Sequence, residues 1–164
     1  DYGSDGSSVV GSSDLFRDTP ADILLLETGL GGRLDASNVI NQPRLTAITT
    51  VSLDHQNFLG RNLAKIANEK AGILKRGVVG VIARQHPEAA KVIERNAKEV
   101  GAQLLRQGYE WDAKQQDTHL WFSSSKCDLR LPMPGLHGPH QIQNAGQAVA
   151  CLQKIGRASC RERV

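Results

Sequence analysis

The chain has 164 residues, of which 40% are hydrophobic and 23% charged, an ordinary composition for one globular domain with a hydrophobic core. Its formal charge is +3, but the last ten residues hold three arginines against one glutamate, so residues 1–154 carry only +1. This weak charge gives no reason to expect nucleic acid as a partner. No apolar window approaches the roughly 20 residues that cross a bilayer, so we expect no membrane association either.

The two ends of the sequence differ from the part between them. Residues 1–14 are rich in Gly, Ser and Asp, which is typical of a disordered tail or of sequence foreign to the domain. Residues 155–164 interrupt the preceding apolar pattern and resemble one reading frame of a common DNA-sequencing adapter, so we interpret them as an artefact. We therefore place the domain at residues 15–154. Because the chain does not begin with methionine, we also expect a fragment.

Between these ends, short apolar strands alternate with amphipathic helices. Strands are predicted at residues 22–27, 45–53 and 78–83, and helices at residues 61–75, 87–100 and 141–154. This alternation predicts an α/β domain with a mainly parallel sheet flanked by helices. Residues 103–131 break into short strand-like pieces, which predict a small antiparallel excursion at the sheet edge.

A carboxylate and a glycine-rich loop follow the first predicted strand. Glu27 opens the segment ETGLGGRLDASN, in which Gly29, Gly31 and Gly32 let the backbone turn sharply and approach a ligand. The segment is not the dinucleotide fingerprint, because Leu34 stands where that motif needs glycine. Since open α/β sheets bind ligands at the carboxyl ends of their strands, Glu27 is a candidate site residue.

The second predicted strand ends at Asp54 and His55. If the two strands are neighbours, Glu27 and His55 meet in one crevice, where a carboxylate and an imidazole can share a divalent ion with phosphate oxygens. The alternative is a polar histidine at a strand end that bonds only to the backbone.

Lys70 lies on the apolar stripe of the helix predicted at residues 61–75, between Ile66 and Leu74. A lone buried ammonium is costly, so this lysine either pairs with acidic ligand groups or forms a carbamate that ligates a metal. The alternative is a lysine at the edge of the stripe whose charged end reaches solvent. The helical period does not separate these interpretations.

The segment HGPHQIQNA precedes and begins the last predicted helix. His137 and His140 have a spacing that suggests metal, but the Gly-Pro between them and the lack of a third ligand favour a loop. Asn144 lies in the predicted first turn, where a nucleotide can bind, although polar side chains there also cap helices. The sequence contains no GxxxxGK[ST] motif, so any triphosphate loop lies elsewhere.

Four blocks in order resemble one known family. The segments ETGLGGRLDASNVI, TTVSLDHQNFLG, IANEKAGILKRG and HGPHQIQNA are similar to the folylpolyglutamate synthase/dihydrofolate synthase family, within the Mur ligase superfamily. The resemblance spans residues 15–154. It implies part of a P-loop-type central domain whose phosphate loop and C-terminal domain are missing, so we expect the chain alone to be inactive.

The resemblance also implies an activity. Such a ligase uses ATP to phosphorylate a substrate carboxylate, and the amino group of L-glutamate then forms an amide with dihydropteroate or a folate. Magnesium would be held by Glu27 and His55, with Lys70 carbamylated to support a second ion. Asn144 would contact ATP. Residues Leu34, Asp35 and Ala36 would line the pterin side.

Three alternatives remain open from the sequence. One alternative is a cell-wall Mur ligase, which shares the carbamylated lysine and the metal site that it supports. The segment GLGGRLDASN and the spacing after Asp54-His55 favour the folate branch. A non-catalytic nucleotide- or metal-binding module belongs to another functional class, and a misassembled sequence is the third. The widely spaced Cys127, Cys151 and Cys160 fit free thiols in a reducing cytosol. The resemblance to the family implies a cytoplasmic parent enzyme, which we also expect to be monomeric.

Overall fold

A computed structural model describes residues 21–52, 62–136 and 138–156 of the chain. This part contains six strands and three helices. In chain order they are β1 Thr46–Ile48, α1 Leu63–Ala71, β2 Val79–Ile82, α2 Pro87–Val100, β3 Gln103–Arg106, β4 Trp111–Gln116, β5 His119–Ser124, β6 Asp128–Pro132 and α3 Pro139–Ile155.

The first three strands form a parallel sheet in the order β1-β2-β3. Parallel neighbours need a crossover, and α1 and α2 supply the two crossovers and pack against each other. Their apolar faces and one face of the sheet share a core that contains Ile48, Ile66, Ile82 and Ile93. The carboxyl ends of the three strands consequently lie at one edge of the sheet.

The last three strands form a separate antiparallel sheet in the order β4-β5-β6. Trp111 on β4 stacks on Phe122 of β5 with ring centroids 6.2 Å apart, and both side chains are buried. Helix α3 contacts this sheet and also β2, so Val81 and Ala150 join the same core as the aromatic pair. The molecule is therefore a mixed α/β structure with a parallel sheet and a small antiparallel sheet, as the sequence predicts.

Helix ends follow local chemistry. The Asn62 side chain caps α1 by accepting from the Ala64 N–H at 2.8 Å. Helix α2 begins at Pro87 and ends before Gly101, whose φ of 77° is a left-handed conformation that glycine adopts without strain. Its bounds match the prediction of residues 87–100.

Two predictions about strands are wrong. Residues 22–27 form no strand in the described structure, and Leu25 is 90% exposed. An apolar run becomes a strand only where a neighbour pairs with its backbone, and within the described residues none does. The segment at Gln103–Arg106 joins the parallel sheet rather than the antiparallel excursion, because α2 carries the chain back across the sheet to pair with β2.

Two predicted helices have different bounds. Helix α1 ends at Ala71 instead of residue 75, and the next residue, Gly72, packs against Arg33. Helix α3 begins two residues before the predicted start, because Pro139 occupies its first turn. Asn144 therefore lies in the second turn rather than the first.

In the part of the chain that the structure describes, no helix is long and apolar enough to cross a membrane.

We expect Gly146→Ala to destabilise the protein. A Cβ at this position would lie 2.2 Å from the Cβ of Ala113 and 3.3 Å from Trp111 Cζ3. Alanine favours a helix by ~1 kcal/mol over glycine, but overpacking a core costs about 1–3 kcal/mol. Because a 2.2 Å approach forces α3 away from β4, the overpacking cost should prevail and lower the thermal unfolding midpoint.

Gly135→Ala is the matched control, since a Cβ there has no neighbouring atom within 4 Å. Its unfolding midpoint should stay close to that of the unaltered protein. An unchanged midpoint for Gly146→Ala would show that α3 can move off the antiparallel sheet without cost.

Candidate functional site

The glycine loop lies against the end of α1, backbone to backbone. Gly31 and Gly32 are buried, and the Arg33 N–H donates to the Glu69 carbonyl oxygen at 3.0 Å. A Cβ on Gly32 would lie 2.8 Å from that carbonyl, and a Cβ on Gly72 would lie 2.3 Å from Arg33 Cβ. Glycines on both sides thus permit the contact. A side chain at Gly32 or Gly72 would push the loop away from α1.

Two side chains secure this contact. The Arg33 guanidinium forms an ion pair and hydrogen bond with the Glu69 carboxylate, and this pairing raises the pKa of Arg33. The Asn38 amide donates to the carbonyl oxygens of Arg33 at 3.1 Å and Gly72 at 3.3 Å. Sequence reasoning overlooked Asn38 and Gly72 as parts of the loop, although both stand within the quoted blocks.

Lys70 lies beside the glycine loop. Its Cα would be 3.2 Å from a Cβ on Gly32, so the structure brings together two of the segments that the sequence singled out. The side chain is half-buried, whereas Ile66, Ala67 and Ala71 form the buried stripe of α1. Among the described residues, no carboxylate lies within ion-pair distance of Lys70. The Lys70 backbone therefore lies against the loop, and its side chain has no acidic partner from this part of the chain.

Asp35 shapes the distal part of the same loop. One carboxylate oxygen accepts from the Leu30 N–H at 2.8 Å, and the other accepts from the N–H and hydroxyl of Ser37 at 2.9 and 2.7 Å. Partial desolvation opposes ionisation, but these hydrogen bonds outweigh it and hold the pKa of Asp35 below its usual range. The neighbouring Leu34 is 90% exposed and Ala36 is also exposed. The turn thus presents an apolar side chain to solvent.

Helix α3 is attached to the carboxyl edge of the parallel sheet by a buried glutamine. The Gln147 side chain is 4% exposed, and its Nε2 donates to the carbonyl oxygens of Ile48 at 2.9 Å and Val81 at 3.0 Å. One turn earlier, Gln143 accepts a hydrogen bond from Gln107, which follows β3. These contacts place the first turns of α3 over the ends of all three parallel strands.

Asn144 is exposed on α3 between these two glutamines, and its amide donates to Gln141 at 3.3 Å. It lies on the helix that covers the strand ends. Helix α3 does not bury all of its large apolar side chains, because Leu152 is 43% exposed whereas Gly146 and Gln147 are buried. The glutamines were missed because a polar side chain on an amphipathic helix normally indicates a solvent-facing position.

The predicted metal pair is only half within the described structure. Glu27 is exposed at the start of the glycine loop, while His55 and its neighbour Asp54 lie outside the described residues, as does His137. Within residues 21–52, 62–136 and 138–156, no three His, Cys, Asp or Glu side chains converge on a metal-sized site. The pairing of Glu27 with His55 therefore stays a prediction.

Known proteins are similar to this chain in sequence. The dihydrofolate synthase/folylpolyglutamate synthase of Mycobacterium tuberculosis is 36% identical over 152 residues, covering 84% of this chain and 30% of that protein. The chain belongs to the folylpolyglutamate synthase/dihydrofolate synthase family. The resemblance carried by the four sequence blocks is thus confirmed.

Solved structures of this synthase family have the same fold. Folylpolyglutamate synthase of Mycobacterium tuberculosis, complexed with ADP and AMPPCP, matches with a TM-score of 0.76 and 34% identity over 90% of this chain and 35% of that one. FolC of Escherichia coli, in complex with DHPP and ADP, matches with a TM-score of 0.71 and 34% identity, covering 82% of this chain and 31% of that one.

This synthase-family chain spans about a third of the length of the curated relatives that it matches, 30% to 33% in the bacterial cases. A comparison with protein-family models found no match.

We expect Gly32→Ala to loosen the loop from α1. The new Cβ would come within 2.8 Å of the Glu69 carbonyl and 3.0 Å of Ile73 Cγ2, and the first of these atoms is backbone that cannot rotate away. The hydrogen bond from Arg33 to Glu69 should weaken, so the Arg33 amide should exchange with solvent faster in a hydrogen-exchange measurement.

Gly29→Ala provides the comparison within the same loop, because its Cβ would meet only Asp35 Oδ2 at an ordinary 3.7 Å. The Arg33 amide should keep its protection in that variant. Equal protection in both variants would mean that the close approach at Gly32 does not fix the loop.

Proposed function

We propose that the protein containing this chain is an ATP-dependent ligase that joins L-glutamate to dihydropteroate or to a reduced folate. The observation that carries the proposal is the contact of the GLGGR loop with the end of α1, which places Lys70 beside the loop. It occurs in a chain 36% identical over most of its length to a dihydrofolate synthase/folylpolyglutamate synthase.

The reaction has two steps. Transfer of the terminal phosphoryl group of ATP to the acceptor carboxylate gives an acyl phosphate and ADP. The amine of L-glutamate then attacks the acyl carbon, phosphate leaves with the bonding electrons, and the nitrogen loses a proton to give the amide. A carboxylate is a poor electrophile at neutral pH, so phosphorylation supplies the leaving group that the amide bond requires.

Magnesium fits the donor chemistry of the proposed pair. Mg²⁺ prefers carboxylate oxygens in a partly hydrated shell, and the Glu27 carboxylate is exposed at the loop entrance, where it can reach an ion and a phosphate together. Glu27 and His55 would hold the ion. When bound, the ion supplies positive charge that balances the phosphate oxygens.

Lys70 would support a second ion as a carbamate, formed when its neutral amine adds carbon dioxide and loses a proton. Such an anion suits a lysine that is half-buried and has no carboxylate partner among the described residues. The packing of the Lys70 backbone against Gly32 would keep the carbamate next to the loop that Glu27 opens.

The acceptor and ATP would contact different elements of the chain. Leu34 and Ala36 would contact the pterin side of the acceptor through their exposed side chains, while Asp35 would maintain the turn that presents them. Asn144 would contact ATP from α3, where its amide is exposed. E. coli FolC in complex with DHPP and ADP supports two such ligands in the family.

A cytoplasmic, monomeric enzyme completes the proposal. Burial raises the pKa of the Cys151 thiol to about 11, so this thiol stays protonated and unreactive at neutral pH, as suits a reducing compartment.

The activity is tested on the full-length protein that contains this chain. We expect phosphate release from ATP and Mg²⁺ only when L-glutamate is present together with dihydropteroate or tetrahydrofolate. The acceptor that is used distinguishes dihydrofolate synthase from folylpolyglutamate synthase activity. A protein that binds ATP but releases no phosphate with either acceptor would contradict the proposal and favour a Mur-type ligase or a non-catalytic module.

Glu27→Ala and His55→Ala should each lower the rate of ligation by at least about 100-fold, because each removes a ligand of the ion that offsets phosphate charge. Initial rates at saturating ATP and rising Mg²⁺ provide the measurement. Glu99→Ala serves as the control, since Glu99 is exposed near the end of α2 and pairs only loosely with Arg95 at 3.8 Å. Near-normal rates in either test variant would remove that residue from the metal site.

A further inference from the structure

A cleft lies between the second half of α3 and the antiparallel sheet, with a volume of about 460 Å³. Small-molecule sites in proteins have volumes of roughly 300–1,000 Å³. The helix contributes Ala150, Gln153 and Lys154, which share one face because they are three and four residues apart. Gln153 is about 14 Å beyond Asn144 along the helix axis, so the cleft is not the site at the first turns of α3.

Apolar groups form the inner surface of the cleft. Leu105 of β3 and Trp111 of β4 line it opposite α3, where the small Ala150 side chain leaves room between the elements. The Trp111 indole N–H already donates to the Leu105 carbonyl oxygen at 3.0 Å, so the ring offers only apolar surface. Tyr109 also lines the cleft and is 78% exposed, with the Arg106 guanidinium 4.5 Å from its ring centroid. These surfaces suit a flat, apolar ligand.

Two ammonium groups make the cleft positive. Lys126 and Lys154 both line it and are exposed, and no carboxylate of residues 21–52, 62–136 or 138–156 lies within ion-pair distance of either. Glu110 lines the same cleft, but both of its carboxylate oxygens accept from the Arg106 guanidinium, at 3.1 and 2.8 Å. These hydrogen bonds lower the pKa of Glu110, and the guanidinium offsets its charge. The lysines are therefore left to attract an anion.

We propose that this cleft binds a small aromatic anion, whose ring lies against Leu105 and Trp111 and whose carboxylate, sulfonate or phosphate pairs with Lys126 and Lys154. Burial of the ring supplies an apolar contribution to affinity, and the two ammonium groups select for negative charge. The inference does not rest on the proposed ligase activity, because the residues assigned to that reaction lie on other faces of the chain or at the start of α3.

The test uses the full-length protein that contains this chain and two fluorescent probes. Anilinonaphthalene sulfonate is an aromatic anion, and N-phenylnaphthylamine has the same rings without the charge. Titrations at low ionic strength give the affinity of each probe for the unaltered protein, for Lys126→Gln, for Lys154→Gln and for the double variant. Lys114→Gln is the matched control, since Lys114 is exposed on β4 of the same sheet but does not line the cleft.

We expect each single lysine variant to weaken binding of the sulfonate about threefold and the double variant about tenfold, because each removes one charge that faces the anion. Lys114→Gln should stay close to the unaltered protein. The affinity for N-phenylnaphthylamine should be the same in all of these proteins, since the neutral probe uses only the apolar surface.

Equal affinity of the double variant and the unaltered protein for the sulfonate would overturn the inference, because the dye would then bind elsewhere, such as the exposed run at residues 23–26. A loss in Lys114→Gln as large as in the double variant would also overturn it, since general attraction to positive surface would explain both.

The salt dependence of the unaltered protein provides a second measurement that needs no variant. Sodium chloride should weaken binding of the sulfonate but not of N-phenylnaphthylamine, because salt screens exposed charges. An affinity for the sulfonate that does not change with salt would contradict the role of the lysines. Neither measurement requires amide formation, so failure of the proposed ligase activity leaves both readable.

Discussion

The parallel pairing of β1, β2 and β3 decides where the candidate site lies. Successive parallel strands need a helix between them, so α1 and α2 return the chain to the same edge each time and the three carboxyl ends meet there. The loops that follow these ends then supply Gln85 and Gln107. No single sequence motif determines that the three carboxyl ends lie together, because this follows from the shared direction of the strands.

Two parts of the structure, here called walls, are held by different kinds of contact: the glycine loop on α1, and α3 over the strand ends. At α1, glycines allow the loop backbone to touch the helix end, so the wall depends on the absence of side chains at Gly32 and Gly72. At α3, buried amides reach from the helix to strand carbonyls, so that wall depends on polar side chains such as Gln147. The first contact tolerates little added volume, and the second tolerates little loss of hydrogen-bonding capacity.

Sequence reasoning succeeded where a local signal matches a structural requirement. Helix α2 was predicted with its observed bounds because Pro87 and Gly101 mark its two ends, and the alternation of elements predicted the α/β fold. The sequence blocks also led to the family. The roles of Glu27, His55, Lys70 and Asn144 stay predictions, since the structure shows where three of them lie but not what they bind.

The rest depends on contacts between distant parts of the chain. Gln147 bonds to carbonyls 99 and 66 residues away, and backbone carbonyls leave no trace in the identity of the residue that bears them. The run at residues 22–27 has the composition of a strand, but pairing requires a neighbour, and composition does not provide one. Strand β3 carries no local signal for its direction, which the preceding crossover decides.

The exposed run from Ile23 to Leu26 has a consequence for handling the protein. All four side chains are at least 40% exposed, next to backbone that no described strand pairs with. An exposed apolar stretch of this kind can serve as a template on which a second polypeptide adds a strand. We therefore expect the 164-residue protein to aggregate at high concentration, and charged substitutions within the run to improve its solubility.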